Sequence, residues 1–210
     1  MIPLRKALLL CAIVDPEVSA YDLPEIVKKL TNSGVRYIQY RDKKNNDRQR
    51  FDNAVEMNAI CAAAGAYFFI NDRVDIAILV GASGVHLGPD DLPLRAVRSI
   101  SPDLLIGASA GDPDRAAILE KEGADYLGVG AIFDAKATKP NASRPKGVSV
   151  IEEVSKNIQI PFVGIGGITK NNARQVIDAG AAGVAMARAL TQAENIEQNA
   201  SDYFACLKAN

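Results

Sequence analysis

Two short stretches, Ile70-Asn71-Asp72-Arg73-Val74-Asp75 and Gly84-Val85-His86-Leu87-Gly88-Pro89-Asp90-Asp91, set carboxylates just beyond consecutive apolar runs. Carboxylate oxygens are hard ligands, and a pair of them on one rim suits Mg²⁺ while leaving positions open for phosphate oxygens. Asp72 and Asp91 form the candidate metal pair, with Asp90 competing for the second place. Capping a helix N-terminus is the alternative role for either acid. Arg73 and Asp75 read as a local ion pair or the start of the next helix.

Gln39, Arg41 and Lys43 alternate at the end of another apolar run. A period of two sends them to one side, where a guanidinium fork, an ammonium and an amide suit a polyanion. Structural ion pairing is the competing reading. Ser109 closes Ile106-Gly107-Ala108-Ser109 and can bond a phosphate, but the sequence shows no His-based pattern to activate it. The chain's one histidine, His86, sits inside an apolar run and reads as structural, which argues against a Ser-His-Asp hydrolase. Gly164-Ile165-Gly166-Gly167-Ile168 and the Ala187-Arg188 turn are placed to receive phosphate on backbone N–H groups. Tight strand-to-helix turns are the alternative there. Residues 134–147 carry Lys136, Thr138, Lys139, Arg144 and Lys146, and read as a phosphate-contacting loop or a solvated basic one.

These groups need a scaffold that brings the ends of many strands together. Short apolar runs at 8–14, 35–40, 67–70, 85–87, 104–108, 126–129, 162–165 and 183–186 alternate with helical segments at 24–31, 47–64, 113–122, 148–157 and 171–179. Glycines at 34, 65, 123 and 180 end several of the helices, where a left-handed residue costs little. About eight such units without a dinucleotide glycine fingerprint predict an α/β chain folded as one TIM (β/α)8 barrel over residues 1–210, with its chemistry at the C-terminal ends of the strands. A length of 210 residues, 48% of them apolar, supplies one sizeable core. A net charge of −1 gives no general attraction to nucleic acid or membrane, so the expected partner is a small molecule. Cys11, Cys61 and Cys206 lie in apolar surroundings and read as reduced, buried thiols. The first apolar run is too short to span a membrane, and a cytoplasmic protein is expected. A homo-oligomer is compatible with the sequence.

With these residues in place the chain resembles the thiamine-phosphate synthase family over nearly its whole length. The matching signatures are Gln39-Tyr40-Arg41-Asp42-Lys43, Ile70-Asn71-Asp72-Arg73, Gly84-Val85-His86-Leu87-Gly88 with Asp91, Gly107-Ala108-Ser109, 124–130 and Gly166-Gly167-Ile168. The resemblance implies an Mg²⁺-dependent transferase that joins a pyrimidine diphosphate to a thiazole phosphate and releases pyrophosphate. It places the pyrimidine diphosphate on the 39–43 signature with Asn71, Ser109 and Lys139, and assigns Arg41, Lys43 and Lys139 to the charge that develops on the leaving group. Asp72 and Asp91 would hold Mg²⁺. Thr138, Gly167, Ala187 and Arg188 would receive the thiazole phosphate.

Four positions depart from the family pattern. Pro89 stands where relatives carry Gln, Gly111 where they carry His, and Arg188 where Ser is common; the loop that reads Pro-Thr-x-Thr-Lys in relatives is one residue longer here. The sister thiazole tautomerases share the barrel and use a His at the place of Gly111, so Gly111 favours the synthase. A noncatalytic precursor-binding protein and an unrelated phosphate-sugar isomerase are the remaining alternatives.

Overall fold

The computed structural model describes residues 1–19, 21–134 and 145–208. After a short helix, α1 (Leu4–Ala7), strands and helices alternate: β1 (Leu10–Val14), α2 (Leu23–Asn32), β2 (Tyr37–Tyr40), α3 (Asp47–Ala63), β3 (Tyr67–Asn71), α4 (Val74–Val80), β4 (Gly84–Leu87) and α5 (Leu94–Ile100). The second half continues with β5 (Leu105–Ala110), α6 (Pro113–Lys121), β6 (Tyr126–Gly130), α7 (Ser149–Asn157), β7 (Phe162–Ile165), α8 (Ala173–Asp178), β8 (Gly183–Met186), α9 (Arg188–Thr191) and α10 (Ile196–Lys208). The strands pair in parallel, each with the next, and β8 returns to β1 to close the barrel. The predicted fold is therefore the observed one.

Every strand shows two faces. Outward residues such as Ile38, Phe68, Val85, Ile106 and Leu127 pack beneath the helices in one large apolar layer. Inward residues form a second cluster of Cys11, Ile13, Tyr37, Phe69, Tyr126, Val163 and Ala185, plugged from the N-terminal end by Leu4, Ala7 and Leu8. The expected first strand, 8–14, is thus shorter at its start, because residues before Leu10 turn under the barrel. Helix α4 begins between Arg73 and Asp75, where a helix start is one of the sequence readings, whereas α1, α5, α9 and α10 escaped the sequence reading, the first and third being only four residues each. The glycines expected to end helices do so with positive φ, as at Gly65 (64°) and Gly123 (95°). Cys11 and Cys61 are buried as expected, whereas Cys206 is only partly covered because it lies on α10 at the outside of the helical layer.

The bottom of the barrel is tied by one side chain. Arg98 donates to the carbonyls of Pro102, Leu104 and Gly123 and, at 2.8 Å, to the Asp125 carboxylate, which also accepts the Ile106 N–H at 2.7 Å. Arg98→Ala leaves these acceptors without their donor, so urea denaturation should show a loss of about 1–3 kcal/mol, with lysine restoring only part of it.

Candidate active site

The C-terminal ends of β1 to β5 carry a continuous circuit of polar groups. Asp15, immediately after β1, is buried at 2% exposure and pairs with the Arg41 guanidinium, while its other oxygen accepts the Glu17 N–H at 2.9 Å. Lys43 crosses to the Asp72 carboxylate beyond β3, which Asn71 also contacts through its amide. The Asp72 N–H bonds the His86 carbonyl at 2.9 Å, and Asp91 accepts the Gly88 N–H at 2.6 Å after β4. Ser109 near the end of β5 then meets the His86 imidazole at 3.0 Å.

Gln39 lies on β2 and points into the barrel, but β2 ends at Tyr40, so Arg41 and Lys43 sit in the following loop. There they pair with carboxylates, Arg41 with Asp15 and Lys43 with Asp72. Tyr40 packs in the outer layer, and its hydroxyl bonds Asp42 at 2.6 Å and receives Asn53 of α3 at 3.2 Å. Asp42 also accepts the N–H groups of Lys44 and Asn45. The structure therefore does not bring Tyr40 and Asp42 to the barrel mouth; they shape the loop that presents Arg41 and Lys43. Arg73 and Asp75 form the expected local ion pair, at 2.6 Å, and Arg73 reaches Asp47 as well.

Asp72 has φ 64°, the only positive value among the described non-glycine residues. Such a backbone is uncommon outside glycine, and Asp72 adopts it directly beyond β3, where its carboxylate meets Lys43 and the Asn71 amide. Asp72, Asp90 and Asp91 line one groove. Among the described residues no three His, Cys, Asp or Glu side chains gather as a metal cluster. A two-carboxylate set suits a hard cation that keeps water and phosphate oxygens in its remaining positions.

The floor of the mouth escaped the sequence reading. His86 Nδ1 lies 2.6 Å from the Tyr126 hydroxyl, Tyr126 meets the Tyr37 hydroxyl, and Gln39 Nε2 is 3.4 Å from Tyr37. The supposed absence of a histidine beside Ser109 is thus corrected, since β4 and β5 bring together residues 23 apart in sequence. The third group is a phenol rather than an aspartate, which leaves the argument against a hydrolase triad intact. Inward glycines make the room: a Cβ at Gly107 would overlap the Tyr126 ring, and one at Gly128 would stand 3.3 Å from His86 Cε1.

Burial holds His86 neutral, pushing its pKa from 6.5 down to about 4. An unfolded chain protonates this imidazole as pH falls through 6.5, while the folded chain resists until about 4. Stability should therefore be complete above pH 6.5 and fall by on the order of 3 kcal/mol between there and pH 4. Denaturation at pH 7 and pH 5, against His86→Gln, isolates this slope above the range where most carboxylates titrate.

On the opposite side, Gly166 (φ 99°) and Gly167 (φ 64°) follow β7. A Cβ at Gly167 would stand 2.6 Å from the Asp134 carbonyl, so glycine is required for the close approach of these two loops. Ala187 precedes α9, and the Arg188 Nε is buried with no hydrogen-bond partner among the described residues. Thr138, Lys139, Lys136 and Arg144 lie outside the described residues. Where the chain returns, Lys146 donates from Nζ to the Gly111 carbonyl.

A closed parallel barrel with cations, carboxylates and amide donors gathered on its C-terminal rim defines an enzyme scaffold of the phosphate-handling kind. The chain belongs to the thiamine monophosphate synthase family, whose model matches residues 10–190. It is 42% identical to thiamine-phosphate synthase of Pelotomaculum thermopropionicum over 174 residues, covering 82% of this chain and 79% of that protein. The Chlorobium luteolum thiamine-phosphate synthase is 40% identical over 200 residues, covering 95% and 92%. The solved thiamine phosphate pyrophosphorylase from Pyrococcus furiosus superimposes with a TM-score of 0.90 at 34% identity, covering 98% of both chains.

Proposed function

We propose that this chain, with Mg²⁺, joins 4-amino-2-methyl-5-(diphosphooxymethyl)pyrimidine to 4-methyl-5-(2-phosphooxyethyl)thiazole, giving thiamine phosphate and pyrophosphate. The observation that supports this reading most directly is the circuit Asp15–Arg41, Lys43–Asp72 and Ser109–His86 around one barrel mouth.

The ion pairs match the charge of the expected substrate. A metal diphosphate brings both signs, so Arg41 and Lys43 can exchange carboxylates for phosphate oxygens while Asp72 and Asp91 take the cation. Mg²⁺ held there would neutralise charge on the diphosphate. Arg41 and Lys43, with Lys139 of the 134–147 stretch, hold the departing pyrophosphate as its negative charge grows, which lowers the barrier more than it tightens ground-state binding. Gln39, Asn71 and Ser109 orient the pyrimidine half. The C–O bond breaks to release pyrophosphate and leave a pyrimidine methylene cation, whose carbon the thiazole nitrogen then captures, without a protein nucleophile. Gly167, Ala187, Arg188 and Thr138 anchor the thiazole phosphate so that its nitrogen faces that carbon.

A cytoplasmic site for this reaction fits the free cysteines, and no helix among the described residues is long and apolar enough to cross a membrane. The test supplies both precursors with and without Mg²⁺ and measures thiamine phosphate and pyrophosphate together. Equimolar formation that depends on the metal is the expected result; binding of either precursor without condensation would overturn the reading.

A further inference from the structure

Five side chains from β2, β4, β5 and β6 meet under the barrel mouth in an unbroken series: Gln39, Tyr37, Tyr126, His86 and Ser109. They line one small cavity, and its other walls are largely apolar, formed by Cys11, Ile13, Val163, Ile165 and Ala185. We propose that this series is a directional hydrogen-bond chain running from the Gln39 amide to the Ser109 hydroxyl, and that His86 is a positioning residue which turns the Ser109 O–H into the mouth as a donor to the substrate.

The direction follows from counting protons. Gln39 Nε2 can only donate, so the Tyr37 oxygen accepts from it and passes its own proton to the oxygen of Tyr126. Tyr126 then donates to His86 Nδ1 at 2.6 Å. A neutral imidazole that accepts at Nδ1 carries its proton on Nε2, and this donates to Ser109 Oγ at 3.0 Å. With its oxygen already accepting, Ser109 directs its hydroxyl proton toward an acceptor in the mouth. Each link polarises the next, which strengthens the terminal donor. The inference rests on the proposed function for the identity of the acceptor, an atom of the pyrimidine diphosphate. The chain itself does not depend on that identity.

Because the protein has one histidine, ¹⁵N NMR of the histidine-labelled enzyme reads the tautomer without assignment. At pH 7 the expected spectrum shows a protonated Nε2 and a bare Nδ1. An Nδ1-protonated ring would mean that the series runs in the opposite direction and would overturn the proposal. Kinetics give the second readout. Tyr126→Phe should lower kcat/KM for the pyrimidine diphosphate by about three- to tenfold, the scale of one hydrogen bond, and Tyr37→Phe, which leaves Tyr126 donating to His86, should cost less. Either change in a Ser109→Ala background should have little further effect. Equal losses in both backgrounds would show that the phenols do not act through Ser109. A correct tautomer in a protein that forms no thiamine phosphate would leave the chain standing and remove the proposed function.

Discussion

Replacing Asp72 with asparagine should reduce Mg²⁺-supported turnover by at least about 100-fold, beyond the range seen when only the supporting groups of a metal site are altered. Asparagine is the informative substitution because Asp72 occupies a left-handed backbone position at φ 64°, which asparagine tolerates and most residues do not. Fold and loop shape are thereby kept while one anionic oxygen is lost. The same change frees Lys43 from its carboxylate partner, so diphosphate affinity measured without metal should be maintained or should rise. Asp91→Asn is the companion variant: its amide oxygen can still accept the Gly88 N–H that closes the turn after β4, so the turn should survive. The measurement is the Mg²⁺ concentration dependence of product formation in both variants, with circular dichroism to verify the fold. Unchanged dependence in two folded proteins would remove these residues from the metal site. Loss in Asp72→Asn alone would move the second ligand to Asp90, which lines the same groove.

The barrel was legible because each strand is a short apolar run bounded by turn residues, and eight repetitions admit few other closures. Helix α5 was not, since seven residues give barely two turns of periodicity. Within the site, residues at or just beyond a strand end were found by position: Asp72, Ser109 and Gly167. Asp15 follows β1 directly, in a place equivalent to that of Asp72, and drew no attention in the sequence because no second signature residue stands beside it. The His86–Ser109 contact could not be read from spacing, because it depends on register, His86 standing opposite Gly107 two residues before Ser109. Tyr37 and Tyr126 look like ordinary core aromatics in sequence. Only the inward glycines opposite them, Gly107 for Tyr126 above all, hint that the barrel makes room for specific rings.

Arg41→Lys keeps the charge beyond β2 and should still lower turnover by about tenfold or more, because a lysine cannot supply a planar fork. In the structure one guanidinium nitrogen is committed to Asp15, whose carboxylate is buried at 2% exposure and fixed by the Glu17 N–H. In the proposed reaction the rest of the fork would face the diphosphate with its direction already set by Asp15. A lysine ammonium can satisfy Asp15 or reach the phosphate, but one nitrogen cannot hold the same geometry toward both. The loss should appear in kcat and in the KM for the pyrimidine diphosphate, while the KM for the thiazole phosphate stays near its original value. Asp15→Asn separates the two functions of the pair: it retains the guanidinium but weakens what aims it, so turnover should fall with only a modest change in substrate binding. Equal diphosphate affinity and equal turnover in Arg41→Lys would show that the guanidinium serves only the ion pair with Asp15.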